Sequence, residues 1–218
     1  MNELSLHSEI KKIYSLPGDQ FEVKLGNYIV DILRENLIIE VQTKNFSALK
    51  EKLQVLTEKH KVRLVYPLPE KKWITHVTKN HIVLNTRKSP RKGKLTDLFR
   101  ELVMIPNIIG EENFSLEVLL IDEEEVRCDD GKGSWRRRGV SIKERKLLKV
   151  NDRILFQTKA DYLKILPEDL NEVFTNKELA KLAKISIRTA RQITYCLRKS
   201  NVIRFAGKKG REHLFQNV

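Results

Sequence analysis

Between Tyr28 and Gln42 the sequence YIVDILRENLIIEVQ is apolar at most positions outside a turn at Arg34, Glu35 and Asn36. The exceptions are Asp31, Glu40 and Gln42. The pattern fits two short strands buried on both faces, as in the middle of a sheet. A carboxylate in such a place is costly unless a cation or a strong donor meets it. Side chains alternate along a strand, so Glu40 and Gln42 share one face and Ile39 and Val41 the other. With Asp31 facing the same way, two carboxylates and an amide converge. That donor set suits a hard divalent cation, Mg²⁺ or Mn²⁺. The plainer alternative is a pair of sheet-edge acids matched by Lys or Arg, with Gln42 as a core amide.

Other elements must position these groups. Residues 6–14 read as a helix carrying Glu9, and residues 20–25 as a first strand. Residues 47–59 read as a helix with Leu49, Leu53 and Leu56 on one side, and residues 62–67 as a further strand. The expected order is helix, three strands, helix, strand.

On Glu9, Asp31 and the Glu40-Val41-Gln42 triplet in that order, residues 4–68 resemble the PD-(D/E)XK nuclease superfamily, in particular its Holliday-junction-resolvase-like and restriction-enzyme-like members. The resemblance implies that the acids, with the Val41 carbonyl, bind Mg²⁺ and that a phosphodiester is hydrolysed. That family usually has Lys where this chain has Gln42. An amide orients water but carries no charge, so a neighbouring lysine has to supply it. Lys24 and Lys44 are the candidates, and strand parity favours Lys44.

The chain has 218 residues, 42 basic and 29 acidic, for a net charge of +13. That excess points to a polyanion, nucleic acid first and an anionic membrane second. No stretch approaches the length of a membrane span, no apolar signal core opens the chain, and Cys128 and Cys196 lack metal-site spacing. The expectation is a cytoplasmic, nucleoid-associated protein, with a homodimer as one form it can take.

The first domain is expected to cover residues 1–70, ending near the Pro67 to Lys72 stretch. Residues 71–160 then read as an α+β extension of no recognised family. It holds a hairpin across 78–81, a basic loop at 87–94, a helix at 95–104 and a strand at 115–121. An acidic run at 122–125 reads as a solvated turn or, less simply, a cation site. A loop at 129–139 sets Arg136 and Arg137 beside Trp135, which fits either base stacking or a plug on the middle region. Residues 142–150 fit a helix or a strand equally well.

The last part, 161–218, is expected to open with a short helix at 167–174. A capping box from Thr175 to Glu178 starts the next helix, and Ser186 caps the one after it. Two strands then flank a turn at 207–211. Residues 165–217 resemble a winged helix-turn-helix DNA-binding domain. The resemblance implies DNA contacts by Arg188, Thr189, Arg191, Gln192 and Tyr195 on the second helix and by Lys208, Lys209 and Arg211 on the wing. From Asn171 onward there are eleven Lys and Arg against three acids.

The fold expected is therefore α/β, a mixed sheet flanked by helices with an αβββαβ nuclease core, an α+β middle region and a C-terminal winged helix. The function expected is metal-dependent cleavage of duplex or branched DNA in repair, recombination, restriction or transposition. The alternative is a non-catalytic DNA-binding regulator or an assembly subunit on a degenerate nuclease fold.

Overall fold

The computed structural model describes residues 5–218. A mixed seven-stranded sheet, with helices on its faces, is joined to a small three-stranded antiparallel sheet at the C-terminus. The chain runs α1 (Leu6–Tyr14), β1 (Gln20–Leu25), β2 (Tyr28–Arg34), β3 (Leu37–Val41), α2 (Lys50–Thr57) and β4 (Lys61–Val77). It continues through β5 (Val83–Lys88), α3 (Phe99–Leu102), β6 (Phe114–Asp129), β7 (Val140–Phe156) and α4 (Lys159–Leu163). The C-terminal unit holds β8 (Val173–Thr175), α5 (Asn176–Leu182), α6 (Ile187–Lys199), β9 (Ile203–Lys209) and β10 (Glu212–Asn217).

The large sheet is ordered β1-β2-β3-β4-β6-β7, with β5 also on β4. β3, β4 and β6 are mutually parallel, and the other pairs are antiparallel. Alternation along the central strands separates two cores. Ile38, Leu64 and Leu116 pack on the α2 side with Leu53, whereas Ile39, Val65 and Leu119 pack on the α1 side with Leu6 and Ile10. The α2-side core runs on without a break into Ile193, Leu197 and Phe215 of the C-terminal unit.

The domain break expected at residue 70 falls inside β4, a single strand of 17 residues. Pro67 and Pro69 fit there for a physical reason. β3 pairs with β4 only up to Val65 and β5 only from Trp73, so the prolines fall where one flank carries no strand. The acidic run is likewise no solvated turn. It is part of β6, with Glu123 and Glu125 only 1% and 2% exposed. Lys72 lies 2.7 Å from Glu123 and 3.3 Å from Glu125, and Arg127 (2.6 Å) and Arg145 (3.3 Å) also hold Glu125. Lys72 and Arg145 on the neighbouring strands, with Arg127 on β6 itself, thus carry acids that local sequence assigns to solvent.

Smaller differences follow the same logic. Residues 142–150 are strand, within β7. The helix expected at 95–104 is a 3₁₀ turn, Leu95–Leu98, running into the four-residue α3. No helix forms at 167–174. Phe174 pairs with Phe215 on β10 instead, and the helix before it is α4, opened by a Thr158–Asp161 capping box. The Thr175–Glu178 box and the Ser186 cap open α5 and α6 as expected. Both cysteines are buried free thiols, and burial pushes Cys196 up to about 12.

Candidate functional site

Asp31 and Glu40 meet where β2 leaves β3. Regular pairing of the two strands ends at Ile32 and Ile39. One residue on, the Asp31 N–H donates to Glu40 Oε1 at 3.2 Å, and the Val41 N–H donates to Asp31 Oδ2 at 2.8 Å. Each acid thereby satisfies a backbone donor of the other strand. Across from Asp31, Glu22 on β1 has a φ of 51°, so the irregularity extends to the edge of the sheet.

The cations that hold the two acids come from opposite faces of the sheet, Asp31 being held from α1 and Glu40 from α2, so the common facing expected for Asp31 and Glu40 is not seen in their ion pairs. On α1, His7 Nε2 lies 3.2 Å from Asp31 Oδ2 and Lys11 Nζ 3.2 Å from Asp31 Oδ1. Lys11 also pairs with Glu22. On α2, Lys52 Nζ reaches Glu40 Oε2 at 2.6 Å and the Ile29 carbonyl at 2.6 Å. Burial works to raise the Asp31 carboxyl, but the His7 hydrogen bond, the Val41 N–H and Lys11 together bring it below the ordinary carboxylate value. Burial raises the Glu40 carboxyl, and the Lys52 hydrogen bond only partly opposes that. The Asp31 hydrogen bond raises His7 against the effect of burial.

The other expected ligands are elsewhere. Glu9 Oε2 accepts from the Leu147 N–H at 2.7 Å, on β7. His7 and Lys11 lie one helical turn apart on one edge of α1, and Glu9 lies across the helix from them. Among the described residues no three His, Cys, Asp or Glu side chains gather as a metal cage. The Gln42 amide donates to the Asn45 carbonyl at 3.1 Å, closing the turn after β3. Lys44 is exposed on the rim of a neighbouring cleft with His7 and Thr43, and it is Lys52 that contacts Glu40.

Three groups at the site, His7, Lys11 and Lys52, escaped the sequence reading. Lys52 had a visible signal. It falls three residues after Leu49 and four before Leu56, so a lysine sits on the apolar stripe of α2. His7 and Lys11 had only their four-residue spacing, which many solvated helices share.

In the C-terminal unit, Arg188, Arg191 and Tyr195 are exposed on α6 and Gln192 is half-buried. Thr189 is a correction to the expected contact set: it is 6% exposed, and its hydroxyl lies 2.9 Å from that of Ser186, the helix cap. Lys208, Lys209 and Arg211 are exposed at the β9–β10 tip, and Arg136 and Arg137 in the β6–β7 loop.

A family model described as "Domain of unknown function (DUF8091)" matches residues 4–157. The chain belongs to that family. The DUF8091 region takes in the whole seven-stranded sheet and stops before the C-terminal unit. A protein of Treponema pallidum (strain Nichols), described as "Uncharacterized protein", is 30% identical over 216 residues, which cover 98% of this chain and 85% of that one. The similarity therefore continues past the DUF8091 region into the C-terminal unit. No solved structure matches the chain.

Proposed function

We propose that this protein is a metal-dependent DNA endonuclease with a PD-(D/E)XK-type core and a C-terminal winged helix-turn-helix that delivers DNA to it. The observation that carries the reading is the reciprocal hydrogen bonding of Asp31 and Glu40 at the β2–β3 divergence, with Lys52 on Glu40. The element order α1-β1-β2-β3-α2-β4 and the parallel β3–β4 pair support the core assignment. Two helices followed by a hairpin, with eleven basic residues, support the winged helix.

The two carboxylates, with the Val41 carbonyl as a third donor, are all oxygen and fit Mg²⁺ or Mn²⁺. Such an ion, when bound, makes water acidic enough to attack and offsets charge on the phosphate. The chain's own groups do the rest. His7 and Lys11 keep Asp31 ionised at neutral pH. Lys52 brings the fixed positive charge that Gln42 lacks, 2.6 Å from Glu40. Gln42, turned to Asn45, braces the end of β3.

A second reading has its own observation. Both acids are already matched by Lys11, His7 and Lys52, as in an ionic lock without catalysis. It corresponds to a DNA-binding regulator or assembly subunit. Nicking of supercoiled plasmid and of branched DNA with Mg²⁺ or Mn²⁺ separates the two. Cleavage that falls about 100-fold or more in Asp31→Asn and Lys52→Met, with DNA binding retained, supports the enzyme. No cleavage by the unaltered chain, or equal cleavage by Asp31→Asn, favours the second reading.

A further inference from the structure

We propose that the β6–β7 loop is a finger that stacks an unpaired nucleobase on Trp135, so that the nucleic acid engaged here is single-stranded or branched. The inference rests on the reading of the protein as a DNA-binding nuclease and names its substrate class.

Trp135 is 83% exposed, the most exposed of the large apolar side chains described. Leaving an indole in water forgoes a large burial contribution, so its position calls for a partner. One face of the ring is covered by the Arg136 guanidinium, 5.6 Å from the ring centroid. An indole backed by a cation is a platform for a second flat group.

The finger is built to hold that platform. The Gly133 N–H donates to the Gly139 carbonyl at 2.8 Å, the Arg138 N–H to the Trp135 carbonyl at 2.9 Å, and Arg137 Nε to the Val140 carbonyl at 3.1 Å. The two sides of the loop touch so closely that a Cβ on Gly133 would lie 1.9 Å from the Val140 carbonyl oxygen. At its base Asp130 takes Ser141 at 3.0 Å and Lys143 at 2.6 Å.

A cleft of about 680 Å³ opens beneath the finger. Lys44, Lys132, Arg137, Lys143 and Arg145 line it, with His7 and one carboxylate, Glu144. His7 is bonded to Asp31, so the cleft runs from the finger to the Asp31 partner on α1. A basic groove beside an aromatic platform is how proteins hold a single strand, phosphates in the groove and a base on the ring. A duplex hides its base faces, so the platform discriminates in favour of unpaired stretches.

The test uses the full chain carrying Trp73→Phe, which leaves Trp135 as the sole indole, since the sequence has two. Its fluorescence is titrated with oligothymidylate, with a duplex of the same length, and with vesicles of phosphatidylserine and phosphatidylcholine. All titrations are in EDTA, and are repeated on Asp31→Asn, so a failure of cleavage does not affect the readout. Quenching by the single strand is expected, with little by duplex. With affinities read from the anisotropy of a dye-labelled oligonucleotide, Trp135→Ala should weaken single-strand binding about 10- to 100-fold, change duplex binding less than about twofold, and Trp135→Phe should recover most of the loss. Unchanged single-strand affinity in Trp135→Ala, or equal quenching by duplex, overturns the proposal. A response to anionic vesicles alone also overturns it and makes the finger a lipid-surface contact.

Discussion

The Val41 N–H donates to the Asp31 carboxylate at 2.8 Å, so a side chain stands where a backbone carbonyl of β2 would otherwise pair. β2 leaves β3 there without stranding a buried donor. Asp31 is therefore a structural latch as well as a candidate ligand, and the two roles separate by substitution. Asp31→Asn keeps an acceptor for Val41. Asp31→Ala leaves the N–H unmet, at about 1–3 kcal/mol, and frees Lys11 and His7. Thermal denaturation should rank the unaltered chain above Asn and Asn above Ala. Equal melting of the Asn and Ala variants would rule out the latch.

Lys52 and Glu40 form a pair whose side chains are 14% and 4% exposed. Lys52→Met alone strands a buried carboxylate and should cost roughly 3–5 kcal/mol. Adding Glu40→Gln should recover most of that, because the uncompensated charge is gone. Urea denaturation of the two single variants and the double variant measures the coupling. Additive losses would mean that the two groups do not act as a pair.

His7 gives the site a pH dependence of definite sign. Its folded pKa is raised from 6.5, first by the Asp31 hydrogen bond, so folding favours the protonated ring. The stabilisation is fully present below 6.5 and is lost as pH rises through the folded value. The stability advantage of the unaltered chain over His7→Gln should be larger at about pH 6 than at about pH 9. His7 is 39% exposed at its side chain, so solvent screens the pair and the effect is modest. An advantage that grows with pH would contradict the assignment.

Arg191 and Gln192 on α6 should behave differently from Lys208 and Lys209 on the β9–β10 tip. Replacing either α6 residue with Ala should relax any sequence preference by about 1–3 kcal/mol at the base it reads. The Lys208→Ala, Lys209→Ala double variant should weaken all duplexes about equally and reduce the slope of log affinity against log salt by roughly 2. Binding curves on several duplexes check both. Full affinity on every duplex after replacing Arg188, Arg191 and Gln192 would make α6 a protein-contact surface.

The strands β1 to β3 were legible because their apolar runs and turn residues are local signals, and so were the Thr175 and Ser186 caps. The reach of β4 was not. Pro67 and Pro69 read as the end of a strand and of the first domain, and only pairing with β6 explains why strand continues through them. The buried acids of β6 were hidden for a similar reason. Their partners Lys72 and Arg145 are distant in sequence and meet them across strands. At the site, the acids were visible as interruptions of apolar strands. The cations come from helices on both faces, and only Lys52 left a pattern, a charge on an apolar stripe.

The central claim is that Asp31 and Glu40 together hold a divalent cation. Mn²⁺ titrated into the full chain, followed by the loss of the free-ion paramagnetic signal, tests it directly. The account predicts one Mn²⁺ bound per chain, lost in Asp31→Asn and in Glu40→Gln and retained in Glu9→Gln, whose carboxylate is committed to Leu147. Binding that is unchanged in Asp31→Asn and Glu40→Gln, or absent from the unaltered chain, would contradict it.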